Sequence, residues 1–319
     1  MPPIHAAASL LLLAGVAFAQ PADQAQAQPQ DPEPATSAPS PTPAGPPRFV
    51  YTLAQTMDAH SVPHIDGGGS ATTSRTRTEF TITWLASPRT RASLQLSNEF
   101  AFYDYKRADG VDPISGDPFR GFNRQNADLL VTHAIDGQWA VLALGGFGIA
   151  REGNADVGDS IIGRGGVGFS YRVTPGVSLG VSVLASTQLE GRPRIVPLPQ
   201  VDATFALDER WTLRLATIGG STLSYRLNEE VTFQLKAGYE ERQFRLDDDG
   251  FAPEGVFQDK HIDLGLGVLW TPAPGLELNA GIAIQPWRRF KVKDQNGDRL
   301  TRRETDPTYG LFAGISYRF

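Results

Sequence analysis

The sequence has no cysteine among its 319 residues, which excludes a disulfide scaffold and any thiolate metal or redox site. It also has no run of about 18 apolar residues, so we expect no transmembrane helix. Neither charge sign dominates strongly. The formal net charge of -6 and the pI of about 5.4 give no electrostatic reason to expect a nucleic-acid partner.

Glycine and proline are frequent, with 33 and 24 residues, as many turns and crowded strands would require. Mean hydropathy is only -0.24. Only helices and closed β-barrels satisfy their backbone hydrogen bonds in lipid. If this chain enters a membrane, it must therefore do so as a closed barrel.

The chain divides into three parts by composition. Residues 6–18 are apolar, and Ala17-Phe18-Ala19 is a small-x-small cleavage pattern, so residues 1–19 are predicted to be a secretory signal peptide, although no basic residue precedes them. Residues 20–47 are rich in Pro, Gln and Ala, which predicts a disordered linker, or alternatively a ligand for a cell-wall or protein partner. Residues 48–319 form the predicted β domain.

The β prediction depends most on the last stretch, Tyr309–Phe319, which reads YGLFAGISYRF. Apolar residues alternate with small or polar ones, and this period of two gives a strand one apolar face. The same alternation recurs from Phe49 onwards, with long and short connections in turn. We predict an all-β fold, a closed antiparallel up-and-down transmembrane barrel of about 14 strands. Twelve is the alternative, because the Trp211–Leu227 hairpin is short.

Side chains on the two faces of these strands predict different environments. Aromatic residues cluster near the short turns, where membrane barrels carry a girdle, and Tyr239 and Trp287 lie towards the long loops. The predicted turn-side girdle comprises Trp84, Trp139, Tyr171, Phe205, Trp211, Tyr225, Trp270, Tyr317 and Phe319. The opposite face carries charges of both signs. The candidate pore-lining residues are Arg164, Arg172, Arg214, Arg226, Lys236, Glu79, Glu99, Asp128, Asp202, Asp263 and Glu277.

The chain resembles bacterial outer-membrane β-barrels of the porin-like kind, in its signal, its strand alternation and its terminal SYRF. From Ala237 to Phe319 it is particularly similar to barrels known only as a domain of unknown function. The matching stretches are GYEERQFRLDDDG, a Pro-Glu-Gly loop, DLGLGVLWTPAPGLELNAGI and KDQNGDRL. The resemblance implies insertion by the barrel-assembly machinery, which reads the terminal aromatic strand. It implies no solute.

Three local motifs match chemical signatures, but their context favours structure. Gly163–Gly168 fits G-x-G-x-x-G, and Gly176–Gly180 fits G-x-S-x-G, yet both lie in predicted strands and open no helix. The Asp294–Asp298 segment resembles the start of a calcium loop but lacks the later glycine and glutamate. We therefore predict no catalytic, cofactor-binding or metal-binding residue.

The sequence favours a channel for small or charged solutes in the outer membrane of a Gram-negative-type bacterium. One alternative is a structural or surface-interaction barrel without an open pore. A lipid-modifying enzyme is the other, with Ser97 and His133 as its candidate pair on neighbouring strands. Outer-membrane lipid is an expected partner, and the oligomeric state is left open.

Overall fold

A computed structural model of the chain describes residues 48–107, 121–190, 193–217, 220–248 and 252–319. The predicted signal peptide and linker lie outside the described residues. Fifteen strands follow one another within these described residues. They are β1 Arg48–Val62, β2 Ser70–Ser87, β3 Thr90–Lys106, β4 Gly121–Ala134, β5 Trp139–Glu152, β6 Ile161–Thr174, β7 Val177–Ser186, β8 Arg194–Ala206, β9 Trp211–Ala216, β10 Ser221–Arg226, β11 Val231–Arg245, β12 Val256–Ala273, β13 Leu276–Lys293, β14 Arg299–Thr305 and β15 Thr308–Arg318.

Fourteen of these strands close into an antiparallel barrel, and β14 is an extra strand. Consecutive strands pair from β1 to β13, and β15 bridges β13 and β1. The seam places Leu53 opposite Tyr317 and His60 opposite Gly310. The prediction of an all-β closed barrel with 14 strands is confirmed, and the 12-strand alternative is wrong.

The two faces of the wall differ as the alternation predicts. The outer face carries large apolar side chains that are exposed, among them Val167, Val181, Leu266 and Leu311. Such outward residues lie opposite one another on neighbouring strands, as Val167 of β6 lies opposite Val183 of β7. In the described part of the chain, no helix is long and apolar enough to cross a membrane.

The barrel has a turn side, with short connections, and a loop side, with mostly longer ones. Three of the short turns share one construction, in which an Asp or Asn side chain accepts two backbone N–H groups. Asp136 Oδ1 accepts from Gln138 and Trp139, both at 2.7 Å, and Asp208 Oδ1 accepts from Arg210 and Trp211, both at 2.7 Å. These bonds lower the pKa of both carboxyls below the usual range. Asn228 does the same for Glu230 and Val231.

Two features depart from the predicted arrangement. The polar segment after β13 contains β14, which pairs with the loop-side end of β13. The β9–β10 connection lies on the loop side but spans only residues 217–220, so the predicted alternation of long and short connections fails there. Each of these two strands has only six residues.

The hydrophobic core fills the interior of the barrel at its loop side. Its members include Val62, Ile65, Tyr103, Phe122, Phe244, Phe257, Phe290 and Val292, none more than 2% exposed. The loop-side ends of β5 and β11 also meet in a parallel bridge between Arg151 and Arg245, although five strands separate them along the wall. The barrel is therefore narrowest, and filled, at this end.

Candidate functional site

The pairing register places all the charged residues predicted as pore lining on the inner face. Arg164 and Asp128, on β6 and β4, form a two-bond ion pair across β5. The pair can form only if the residue between them on β5 is small. That residue is Gly146, and a Cβ there would clash with the Asp128 carboxylate. Arg214 and Asp202 form a longer pair at 3.4 Å.

The remaining predicted residues are spread over the inner wall. Glu79 pairs with Arg77 at 2.8 Å, and Glu99 lies 3.5 Å from Arg242. Arg226 donates to the Glu209 carbonyl at 2.6 Å, close to the turn side. The Lys236 ammonium lies 5.8 Å from the Phe312 ring centre. Arg172 lies opposite Ser178, and Glu277 opposite Ser316.

Beneath the core lies an ionic layer, which we define as Asp58, Arg75, Glu99, Glu240, Arg242, Asp259 and Arg288. Arg75 joins three strands, since it contacts Asp58 at 2.5 Å, Glu240 at 2.9 Å and Glu99 at 3.8 Å. Arg242 holds Glu240 through Nε at 3.0 Å and Nη2 at 2.7 Å. The layer ties β1, β2 and β3 to β11 across the interior.

The second half of the layer centres on Asp259, which is 0% exposed. Its carboxylate accepts from Arg288 Nη2 at 2.7 Å and from the Tyr103 hydroxyl at 2.8 Å. Arg288 in turn donates to Thr73 Oγ1 at 3.2 Å. A buried charge is tolerated only when its hydrogen-bonding capacity is filled. Arg288 and Asp259 meet this condition together.

Above the layer, five rings form what we call the aromatic plug: Tyr103, Phe122, Phe244, Phe257 and Phe290. The Phe122 ring centre lies 4.5 Å from Phe244 and 5.3 Å from Phe257. Tyr103 meets Phe122 edge-on at 5.5 Å. The Arg288 guanidinium lies 4.9 Å from the Phe290 ring centre, so plug and layer form one packed unit.

Arg245 hydrogen-bonds to the loops above the plug. It donates to the backbone carbonyls of Asp159 at 3.1 Å, and also to those of Glu254 and Leu189. These carbonyls belong to three different loop-side connections. One side chain therefore holds the loop-side closure together.

The turn-side half of the interior is wet by comparison. The side chains of Asp202, Arg214 and Asp263 are 40%, 34% and 33% exposed although all three point inward. Several inner positions nearby are glycine, and Phe312 packs against Gly267 and Gly281. The inward-pointing charges on the turn side are therefore more exposed than Asp259 and Arg288 of the ionic layer.

Glu240, His261 and Asp263 have donor atoms within 4.8 Å of one another, as a metal site would need. Glu240, however, already accepts both guanidinium groups of Arg75 and Arg242. His261 Nε2 faces Asp263 at 3.0 Å, and its Nδ1 faces Asp259 at 3.3 Å. A cation here would have to displace arginines, so the cluster is an ion-pair network in character.

The candidate hydrolytic pair is separated by the fold. Ser97 faces inward and accepts from Asn126 at 3.1 Å. His133 lies on the outer face, where it hydrogen-bonds with Thr90 at 2.9 Å. Ser97 pairs with Asn126, seven positions from His133 on β4, which is about 23 Å along the strand. These two residues cannot act together.

The predicted girdle residues lie outward and near the short turns. Trp139 contacts Tyr171 with ring centres 4.8 Å apart, and Trp211 contacts Tyr225 at 4.8 Å. The terminal Phe319 stacks on Tyr51 at 5.6 Å, and their backbones exchange hydrogen bonds across the seam. Towards the loop side, Tyr239 and Trp287 stack at 6.4 Å.

Much of the barrel sequence matches a known protein family. The model of a family described as "Domain of unknown function (DUF6268)" matches residues 125–318. The chain belongs to this family. The match covers β5 to β15 entirely, so most of the barrel and four of the seven ionic-layer residues are DUF6268 sequence. No curated protein matches the chain.

Solved structures similar to this DUF6268 barrel are remote. A "TodX deltaS2S3 mutant monoaromatic hydrocarbon channel" is 12% identical, with TM-score 0.44, over 86% of this chain and 90% of that one. The COG4313 outer membrane channel of Pseudomonas putida F1 is 6% identical, with TM-score 0.42, over 91% and 100%. The NalP translocator domain of Neisseria meningitidis is 14% identical, with TM-score 0.35, over 85% and 89%. These values carry no information on a solute.

Proposed function

We propose that the protein is an outer-membrane channel for small polar or charged solutes, constricted on its loop side by the aromatic plug and the ionic layer. One observation carries the proposal: inward-pointing Asp202, Arg214 and Asp263 are a third or more exposed, so water occupies the turn-side interior. Exposed charges of this kind line a space that a polar solute can occupy.

The inner charges supply the selectivity of such a channel. Arg164, Arg172, Arg214, Arg226 and Lys236 face Glu79, Asp128, Asp202, Asp263 and Glu277 around one wall. Charges of both signs across a lumen create a transverse field that discriminates between ions and orients polar solutes. Glu99, which belongs to the ionic layer, lies at the constriction.

The apolar outer face supports placement in the outer membrane, with outer-membrane lipid as its partner. The girdle of Trp84, Trp270 and the other turn-side aromatics would lie at the periplasmic interface, and the loops outside. The terminal aromatic strand is the element that the barrel-assembly machinery would read. The predicted signal peptide at residues 1–19 and the predicted linker at residues 20–47 are compatible with secretion followed by insertion into the outer membrane. Both stay predictions.

A closed barrel without a pore is the second candidate, and the plug favours it. Phe244, Phe257 and Val292 are 0% exposed, as in the core of a soluble protein. In that case the paired charges stabilise the interior, and the loops provide the function. The two candidates differ in whether ions can pass.

Planar-bilayer recording distinguishes them. We would compare the refolded protein with Phe122→Ala/Phe257→Ala, which removes two rings of the plug. The matched control is Phe169→Ala/Phe205→Ala, which removes two rings from the outer face. We expect unitary steps whose conductance rises in the plug variant and stays unchanged in the control. Heat-modifiable gel migration would verify that each variant is a folded barrel.

The outcomes are unambiguous. Steps in the plug variant alone would show that the unchanged protein passes no ions, and would favour the closed barrel. Folded protein without steps in either form would overturn the channel and leave the closed barrel. Asp202→Asn/Asp263→Asn should lower the preference for cations, measured as a shift in reversal potential across a salt gradient.

A further inference from the structure

We propose that the outer face of β12–β14 binds the phosphate groups of a phosphorylated glycolipid in the outer leaflet. The proposed site is a basic band of five residues: Lys260, Arg289, Lys291, Lys293 and Arg302. It rests on the outer-membrane placement given above but not on the protein being a channel.

The register places the band on the outer face of the wall, where the β7–β8 connection also packs, since Glu190 contacts Gln258 as well as Lys293. Trp287 and Ile262 are paired on the outer face, and Lys260 and Arg289 are the next outward pair towards the loop side. Lys291 follows two residues later, opposite Gln258 on β12 and Arg302 on β14. The band therefore begins directly above Tyr239 and Trp287, at the height where lipid headgroups meet the apolar belt.

The cations of the band have carboxylate partners with one exception. Lys260 contacts Glu241 at 2.5 Å, Lys293 contacts Glu190 at 2.5 Å, and Arg289 and Arg302 share Glu304 at 2.7 and 2.9 Å. Lys291 contacts no carboxylate among the described residues. Five cations and three acids give the band a net charge of about +2: one excess charge lies at Lys291, and the other is shared by Arg289 and Arg302 at Glu304.

Lys291 is in an unfavourable position unless an anion is present. It is partly buried, and its neighbours on the outer face are Arg289, Lys293, Arg302 and, diagonally, Lys260. It lies beyond the membrane-spanning part of β13. Partial burial and then the neighbouring cations lower its pKa to about 8. A phosphate bound here would neutralise the band and supply the missing acceptor.

The surroundings favour a lipid over a free anion. Below the band the outer face is apolar, with Ile262, Leu264 and Leu266 on β12 and Ile282 on β13. The Arg289 guanidinium lies 4.7 Å from the Trp287 ring centre, which fixes it at the boundary. A molecule with phosphates above and acyl chains below matches both parts of this surface.

The test is binding of lipid A to the full barrel in detergent, measured by native mass spectrometry. Lys291→Gln removes the unpaired charge and breaks no ion pair, while Lys106→Gln removes a loop-side charge from β3, away from the band. We expect lipid A occupancy to fall about tenfold in Lys291→Gln, the effect of losing one charge-assisted hydrogen bond. Lys106→Gln should bind as the unchanged protein does, and Lys291→Arg should retain binding.

Two further arms identify the ligand chemistry. Phosphatidylethanolamine, which carries no net charge, should bind several-fold more weakly than lipid A. Inorganic phosphate should fail to displace lipid A at millimolar concentration; displacement would show a free-anion site and overturn the lipid assignment. Equal lipid A binding by Lys291→Gln and the unchanged protein would overturn the proposal. Conductance is not needed for any of these readouts, so a failed channel assay leaves them interpretable.

Discussion

At the scale of single residues, one buried ion pair joins four strands inside the barrel. Asp259 and Arg288 are 0% and 1% exposed and join β12 to β13 and, through Tyr103 and Thr73, to β3 and β2. Replacing a buried ion pair by apolar groups is often neutral, but removing one partner leaves a buried charge without compensation. The cost of a substitution therefore depends on which partner remains.

We expect Asp259→Ala to destabilise the barrel by about 3–5 kcal/mol, because Arg288 then lies buried without its carboxylate. Arg288→Met should cost a similar amount for the same reason. The double variant should cost clearly less than the sum. Urea unfolding in phospholipid vesicles, followed by tryptophan fluorescence, measures all three. Additive costs would show that the two residues do not act as a pair.

At the scale of strands, the wall is uneven. Strands β9 and β10 have six residues each, fewer than the 9–11 that a transmembrane strand usually needs. Beyond them, the part of β8 from Arg194 to Gln200 pairs with no described residue on its β9 side. Val201 directs its N–H and carbonyl towards Thr217, so Pro197 and Pro199, at the same parity, direct their nitrogens into this gap. Proline has no backbone N–H, so neither position leaves an unpaired hydrogen-bond donor in the gap.

This hairpin should be the least stable part of the wall. Its strands are the shortest of the wall, and opening it exposes little apolar surface. In hydrogen-exchange mass spectrometry of the refolded barrel, peptides from Trp211–Arg226 should exchange at least about tenfold faster than those from β12 and β13. Equal protection of the two regions would contradict the expectation.

The sequence predicted the strands that carry the apolar belt, because alternation is strongest where one face is apolar and the other polar. It predicted fourteen strands and the face of every charged candidate. It missed β14, since Arg299–Thr305 reads RLTRRET and has no apolar face. It also missed the ionic layer as a unit. Arg75 and Glu240 are 165 residues apart, and periodicity shows which face a side chain occupies but not its depth or partner.

The same limit explains the plug. Tyr103, Phe122, Phe257 and Phe290 lie on the inner face, where a porin-like interpretation expects polar residues. Their strands extend past the apolar belt on the loop side. In these extensions the apolar residues point into the barrel and no longer outward. Only the strand lengths, 17 residues for β3 and 18 for β12, hint at an extension beyond the membrane.

At the scale of the whole molecule, the two ends of the barrel interior differ. The ionic layer, the plug and Arg245 fill the loop-side end, while Asp263 is a third exposed just below the layer. A chain without cysteine allows this asymmetry to be measured with single introduced thiols. Asp263→Cys reports on the interior, and Asp136→Cys on an exposed turn serves as the turn-side control.

In proteoliposomes of known orientation, a membrane-impermeant maleimide added at the turn side should label both thiols. Added at the loop side, it should label neither. Combining Asp263→Cys with Phe122→Ala/Phe257→Ala should admit the reagent from the loop side, because the plug is then the part of the barrier that has been removed. Labelling of Asp263→Cys from the loop side with the plug intact would show that a path around the plug already exists.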